Sequence, residues 1–260
     1  MGLHAAITGN LDDAPPLVLL HGFGGDGHVW DEVVAALAGG PPLVVYDLPG
    51  HGGSVDAENP GGAGRMAKAL LSDLSARGIS HFHLAGHSLG GATAALIALR
   101  APERVLTATL LAPGGFGPEI NHRVLRRFSL SVDRPNLAEA LAAMMAEGRR
   151  PLLEAVDRLW NERQRPGARE LLSRVFEAMM RPDGKGGWEQ GTIDMSALAQ
   201  LSMPVTVVWG DEDAILPVPD ETSLPDNLVF RRWTGIGHML PEEAPDAVAD
   251  LLKSIISGAG

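Results

Sequence analysis

Short runs of consecutive apolar residues recur along the chain at Leu17–Leu20, Leu43–Tyr46, Phe82–Ala85, Val105–Leu111, Val205–Trp209 and Leu228–Trp233. Each is too short for a stable helix, rich in leucine or β-branched residues, and bounded by Gly, Pro or polar residues, which predicts buried strands. Leu3–Thr8 adds an edge strand on the same reading. Helical spacing alternates with these runs. Trp30, Val33, Val34 and Leu37 fall at i, i+3, i+4 and i+7, and Val248, Leu251, Leu252 and Ile255 repeat the pattern with Pro245 suited to a helix start. Strands that are apolar throughout and alternate with helices imply an α/β fold with a mostly parallel sheet covered on both faces.

The alternation breaks between about Gly115 and Ser196. Apolar residues there follow helical spacing around Leu137–Met145, Leu152–Trp160 and Leu171–Met180, separated by breakers at Arg134-Pro135, Gly148, Pro166-Gly167 and Pro182-Asp183-Gly184. About 80 residues without a strong strand predict a helical cap inserted into the sheet domain. The expected division is a core of residues 1–114 and 196–260 and a cap of residues 115–195. The plainer alternative is that these helices simply continue the layer packing.

Composition narrows the chemistry. The chain has 260 residues, enough for one sizeable domain, and no cysteine, so disulfides, thiolate catalysis and cysteine-held metals are excluded. Its formal net charge of −11 argues against nucleic acid as a general partner. No apolar stretch reaches the roughly 18–20 residues of a membrane span, and the first residues lack a basic region followed by an apolar run. The expectation is a cytoplasmic protein acting on a small molecule, without membrane contact, metal or organic cofactor.

The strongest chemical signal is Gly86-His87-Ser88-Leu89-Gly90, directly after the strand Phe82–Ala85 and before the helical run Gly91–Arg100. A sharp strand-to-helix turn strains the central residue, and small residues two positions to either side avoid clashes. The turn would hold Ser88 Oγ above the sheet at a helix N-terminus. Serine at its ordinary pKa needs an adjacent base. His238, in Gly235-Ile236-Gly237-His238, follows the last strand and lies where open α/β sheets place their sites. His4, His81, His83 and His122 have weaker positions, and the His87 side chain is expected to point away from the site. The acid that orients the base would come from Asp211 or Asp213, both just after the strand Val205–Trp209. His21-Gly22-Phe23-Gly24-Gly25 follows an early strand, and the Phe23 and Leu89 amides would form an oxyanion hole.

Together these segments resemble the α/β-hydrolase superfamily over essentially the whole chain. The resemblance is carried by His21-Gly22-Phe23, Tyr46-Asp47-Leu48-Pro49-Gly50-His51-Gly52-Gly53-Ser54, Gly86-His87-Ser88-Leu89-Gly90-Gly91, Gly210-x-x-Asp213-x-x-x-Pro217 and Gly237-His238. It implies the α/β-hydrolase fold, a Ser–acid–His chain order, Asp213 rather than Asp211 as the acid, and a structural role for Asp47–Ser54. Leu111–Asn121 is similar to the hydrolase-like domain attached to the acyltransferase components of acetoin dehydrogenase. Its Pro113-Gly114-Gly115-x-Gly117-Pro118 part is also similar to meta-cleavage-product hydrolases. No lipoyl module is present, so no acyl-carrying arm is expected, and Gly-His-Ser replaces the Gly-Asn-Ser common in the carbon–carbon hydrolases. The resemblance implies hydrolysis of an ester, lactone or thioester through an acyl-enzyme. The alternatives are carbon–carbon bond hydrolysis of ring-fission products, or an accessory protein on a hydrolase fold beside an acetoin-type dehydrogenase complex.

Charge is uneven. Residues 119–183 contain 12 arginines against 10 carboxylates, in a chain that is otherwise strongly acidic. Arg123, Arg126 or Arg127 could thus attract an anionic substrate, although arginines on exposed helix faces are usually paired there. Met144, Met145, Met179 and Met180 could line an acyl pocket or serve as cap core.

Overall fold

The computed structural model describes residues 2–57 and 60–258. In chain order the first half contains β1 (Ala5–Thr8), β2 (Leu17–Leu20), α1 (Asp31–Ala36), β3 (Leu43–Tyr46), α2 (Ala63–Ala76), β4 (Phe82–His87), α3 (Leu89–Arg100) and β5 (Val105–Leu111). Next come α4 (His122–Ser129), α5 (Arg134–Ala142), α6 (Leu153–Glu162), α7 (Ala168–Met179), the short strands β6 (Met180–Pro182) and β7 (Trp188–Gln190), and α8 (Met195–Leu198). The chain closes with β8 (Val205–Gly210), β9 (Leu228–Trp233), α9 (Leu240–Glu243) and α10 (Pro245–Gly258).

Seven strands form one sheet in the order β1-β3-β2-β4-β5-β8-β9. Only β1 runs antiparallel, pairing Ala5 with Tyr46 and Thr8 with Leu43. The other pairings are parallel. Every residue of β2, β3, β4 and β8 is buried, so both faces of the sheet are covered. Helix α1 packs on α10, and α2 on α3. Because β2, β4, β5, β8 and β9 are parallel neighbours, the loops that leave them all emerge at one sheet edge.

The predicted strands match the observed ones closely, and α10 begins at Pro245. Helices α2 and α4, and the short α8 and α9, add to those the spacing predicted. The stretch between β5 and β8 differs from an all-helical insertion by the antiparallel hairpin β6–β7, which pairs Met180 with Gln190 and Pro182 with Trp188. Three-residue strands around Asp183-Gly184-Lys185-Gly186-Gly187 carry too little periodicity to register as strands. The Asp183 carboxylate closes the turn by accepting from the Lys185 and Gly187 amides, and Gln190 anchors the hairpin to the Gly115 amide and the Gly117 carbonyl. No helix among the described residues is long and apolar enough to cross a membrane.

One corner controls the geometry of the sheet edge. β4 ends at His87 and α3 begins at Leu89, leaving Ser88 alone to turn the chain, with φ 53° and ψ −114°. Such a conformation costs a non-glycine residue about 1–3 kcal/mol. It is held by the Ser88 amide donating to the Leu111 carbonyl at 2.9 Å and the Ser88 carbonyl accepting from the Gly114 amide at 3.0 Å. A Cβ at Gly86 would overlap the Gly90 carbonyl, and a Cβ at Gly90 would overlap the carbonyls of Leu20 and His21. Those obstacles are backbone atoms of α3 and of the end of β2, and they cannot rotate away. Gly90→Ala should therefore destabilise the fold by about 3 kcal/mol or more, measured by urea denaturation. A loss under about 1 kcal/mol would show that the corner relaxes more easily than its packing implies.

Candidate active site

Ser88, His238 and Asp213 meet at that edge although they lie on separate loops after β4, β9 and β8. Ser88 Oγ is 2.9 Å from His238 Nε2, and His238 Nδ1 is 2.8 Å from Asp213 Oδ2. A carboxylate can only accept, so Nδ1–H donates to Asp213 and Nε2 is left to accept the Ser88 hydroxyl proton. The His238 side chain is 2% exposed and that of Asp213 is fully buried. Asp213 Oδ1 also accepts the Ile215 and Leu216 amides at 2.8 and 2.9 Å, which fixes the carboxylate plane. Asp211, its competitor by location, is exposed and instead accepts the Gly235 amide at 2.8 Å, bracing the loop that carries His238.

Phe23 lines the same pocket as Ser88, Leu89 follows Ser88 in the chain, and among the described residues neither amide has an acceptor. The Phe23 loop is built on two buried histidines. His51 Nε2 accepts the Gly24 amide at 3.0 Å, and His21 Nε2 accepts the Leu48 amide at 2.9 Å while its Nδ1–H donates to the Gly22 carbonyl at 2.7 Å. Burial lowers the pKa of His21, and burial with His21 alongside brings His51 to about 3. Both are therefore neutral, as the accepting role of each Nε2 requires. The segment Asp47–Ser54 is structural, and its buttressing of the Phe23 loop through His51 was not visible in the motif.

His87 departs from the expectation that its side chain points elsewhere. Its Nε2–H donates to the His238 carbonyl at 2.7 Å, and the two rings lie 5.0 Å apart. Burial, and then the neighbouring His238, brings its pKa to about 3. The strand residue before a tight corner has no room to swing outward, so its ring fills the space beneath the facing loop. Glu243 is a second support that the sequence left unmarked, since an acid in a helix first turn reads as an ordinary dipole partner. Its buried carboxylate accepts the amides of Gly237, Met239 and Ala146. The His238 amide itself donates to the Met144 carbonyl at 2.8 Å. The loop bearing His238 is thus clamped to the segment that joins α5 to α6.

Two pockets meet at Ser88. The first encloses about 510 Å³, open solvent at its mouth included, and is shared by His238, Phe128, Met144, Leu159, Arg158 and Glu242. The second encloses about 990 Å³ on the same basis and is largely apolar, with Leu89, Leu96, Ile120, Met179 and Ile193 in its wall. Of the four methionines singled out in the sequence, Met144 and Met179 line these pockets, while Met180 is buried in β6. Arg123, Arg126 and Arg127 do not: they line a separate surface groove, where Arg127 pairs with Glu139. Helix α4 turns its arginines outward because Leu125 and Phe128 occupy its inner face. The arginine in the first pocket is Arg158, whose Nε lies 3.0 Å from Asp26 Oδ2. Glu242, also unmarked in the sequence, is pushed up to about 7 by burial, against the opposing pull of Arg158. Among the described residues no group of three His, Asp or Glu side chains is arranged to hold a metal ion.

A central sheet of this order, with a serine at the corner after β4 facing a histidine after the last strand, defines the class. The chain belongs to the α/β hydrolase fold family, which matches residues 15–245. Two relatives are each named as the dihydrolipoyllysine-residue acetyltransferase component of an acetoin cleaving system. That of Cupriavidus necator is 30% identical over 94% of this chain and 64% of its own length. That of Pseudomonas putida is 33% identical over 90% of this chain and 61% of its own. The chain therefore spans less than two thirds of either. A pimeloyl-acyl-carrier-protein methyl ester esterase of Vibrio parahaemolyticus is 30% identical over 82% of both chains. Among solved structures, the 2-hydroxy-6-oxo-6-phenylhexa-2,4-dienoate hydrolase of Rhodococcus sp. strain RHA1 shares the fold with a TM-score of 0.83 at 23% identity, covering 98% of this chain and 94% of that one. The acetoin-system components and the ring-fission hydrolases are the subgroups that the Leu111–Asn121 segment resembles.

The buried groups give the fold a definite acid response. A histidine held neutral gains a proton more readily once unfolded, so stability is complete above the ordinary histidine pKa of about 6.5 and falls as pH drops from there toward 3. His51→Asn should lower the melting temperature at pH 7 but flatten its decline between pH 6.5 and 4, followed by circular dichroism. Glu242 has the opposite slope, because a raised carboxyl pKa costs stability as pH rises from about 4.5 through 7. Glu242→Gln should therefore raise the melting temperature more at pH 8 than at pH 5. An equal shift at both values would count against a raised Glu242 pKa.

Proposed function

We propose that this chain is a serine hydrolase that cleaves an ester-like bond of a small molecule through an acyl-enzyme. Ser88 is the nucleophile, His238 the base and then the acid, and Asp213 the orienting carboxylate. The Phe23 and Leu89 amides receive the oxyanion, and residues 115–195 act as a cap over the site. The observation that carries the reading is the unbroken hydrogen-bond chain from Ser88 Oγ through His238 to Asp213, set at a strained corner between two pockets.

Chemistry follows from the donors and acceptors. His238 Nε2 takes the Ser88 proton as Oγ bonds to the substrate carbonyl carbon, and the carbonyl π pair moves onto oxygen, opposite the two amides. The imidazolium, stabilised by Asp213, returns that proton to the leaving oxygen as its bond to carbon breaks. Water then repeats the sequence on the acyl-enzyme, leaving a carboxylic acid and free Ser88. Because His238 protonates the leaving group, the alcohol belongs in the pocket that His238 lines, and the acyl chain in the larger apolar one. Aromatic contacts support the cap assignment: Phe23 lies 6.3 Å from Phe128 of α4 and 6.1 Å from Phe176 of α7, ring centre to ring centre. Glu242 and Asp26 in the first pocket disfavour an anionic leaving group there.

Ser88→Ala and His238→Ala should each lower kcat on a short-chain activated ester by about 10⁴-fold or more, and Asp213→Asn by a similar factor. A fluorophosphonate probe should label the wild-type chain at Ser88 and leave Ser88→Ala unlabelled. Full activity of Ser88→Ala would overturn the assignment. An unlabelled wild type would favour an accessory role, and turnover confined to ring-fission diketones would favour carbon–carbon hydrolysis.

A further inference from the structure

We propose that Glu242 sets specificity in the leaving-group pocket, selecting esters whose alcohol carries a second, neutral hydroxyl group. The inference rests on the serine-hydrolase reading above and deepens it.

Glu242 sits on α9, four residues after His238, and lines the pocket that contains Ser88 and His238. Its Oε2 is buried and has no hydrogen-bond partner among the described residues. The neighbouring charges are already committed. Arg158 donates to both oxygens of Asp26, at 3.2 and 3.0 Å, and Glu243 is occupied by backbone amides. The walls around Glu242 are otherwise supplied by such side chains as Val29, Leu141, Met144 and Leu159. A buried acceptor without a donor is costly, and a ligand that supplies the donor recovers that cost.

The chemistry of the surroundings selects the donor. An ammonium group would share the pocket with the Arg158 guanidinium and with His238 at the moment it is protonated. A carboxylate would face Glu242 and Asp26. A hydroxyl escapes both repulsions, and it pairs with Glu242 in either protonation state, donating to the carboxylate or accepting from the acid.

The test compares hexanoate esters in pairs of equal heavy-atom count: 2-hydroxyethyl with n-propyl, 3-hydroxypropyl with n-butyl, and 4-hydroxybutyl with n-pentyl, together with 3-aminopropyl. Wild-type kcat/KM should favour at least one hydroxyalkyl ester over its alkyl match by about tenfold or more. Glu242→Leu should abolish or invert that ratio, and Glu242→Gln, whose carboxamide oxygen still accepts, should keep it; thermal melts check that both variants fold. The same ratio in Glu242→Leu as in wild type, or preference for the aminopropyl ester, would overturn the proposal. If wild type hydrolyses none of these esters, the ester reading fails by itself. Dissociation constants of the same pairs on Ser88→Ala, with and without Glu242→Leu, then decide the role of Glu242 without turnover: a hydroxyalkyl preference that Glu242→Leu removes supports it, and equal affinities overturn it.

Discussion

Everything at the sheet edge depends on the backbone of Ser88. A strand of the central sheet and a helix are joined there by a single residue, in a conformation that L-amino acids adopt reluctantly. The corner closes only because Gly86 and Gly90 present no Cβ where the backbones of β4, α3 and β2 converge. The consequences are positional. Oγ stands above the sheet rather than within it, and the Leu89 amide is left unpaired at the start of α3. That helix is almost wholly buried and has little amphipathic character of its own. Its registration against the sheet, not an exposed polar face, decides where it sits.

The partner side of the site is held differently. His238 lies on a loop 150 residues from Ser88, and strand pairing alone does not determine its position. Four separate contacts do: the Met144 carbonyl on the His238 amide, the His87 ring on its carbonyl, Glu243 across the neighbouring amides, and Asp211 on Gly235. Two of these tie the histidine loop to the chain between α5 and α6, since Glu243 also accepts the Ala146 amide. A shift of that segment would therefore be passed to the His238 loop through these hydrogen bonds.

Polar groups buried around the site divide into those that build it and those left without a mate. His21, His51 and Glu243 have well-placed backbone partners and brace the loops that carry Phe23 and His238, while His87 is held through Nε2 alone, its buried Nδ1 having no partner among the described residues. Asp26 and Arg158 satisfy one another. Glu242 stands apart, its buried Oε2 lying on the His238-side pocket without a partner among the described residues.

The strands were legible from sequence because residues buried on both faces must be apolar throughout, and runs such as Leu17–Leu20 and Val205–Trp209 have no other reading beside glycine and proline. Ser88, Asp213 and His238 were legible because their chemistry demands fixed residue types at strand ends, in a fixed order. The β6–β7 hairpin and Gln190 were not, since three-residue strands carry almost no periodic signal. Nor were His87, Glu242, Glu243 and Arg158, because a side chain's partner is a property of where distant segments meet. Sequence by itself determined the class of fold, the corner and the three residues that meet there, because local sterics and periodicity act over a few residues. Only the tertiary structure decided that Asp211 braces the Gly235 turn, that the arginines of α4 face outward, and that an unpartnered Glu242 oxygen shares a pocket with Ser88, because these depend on the packing of surfaces far apart in the chain.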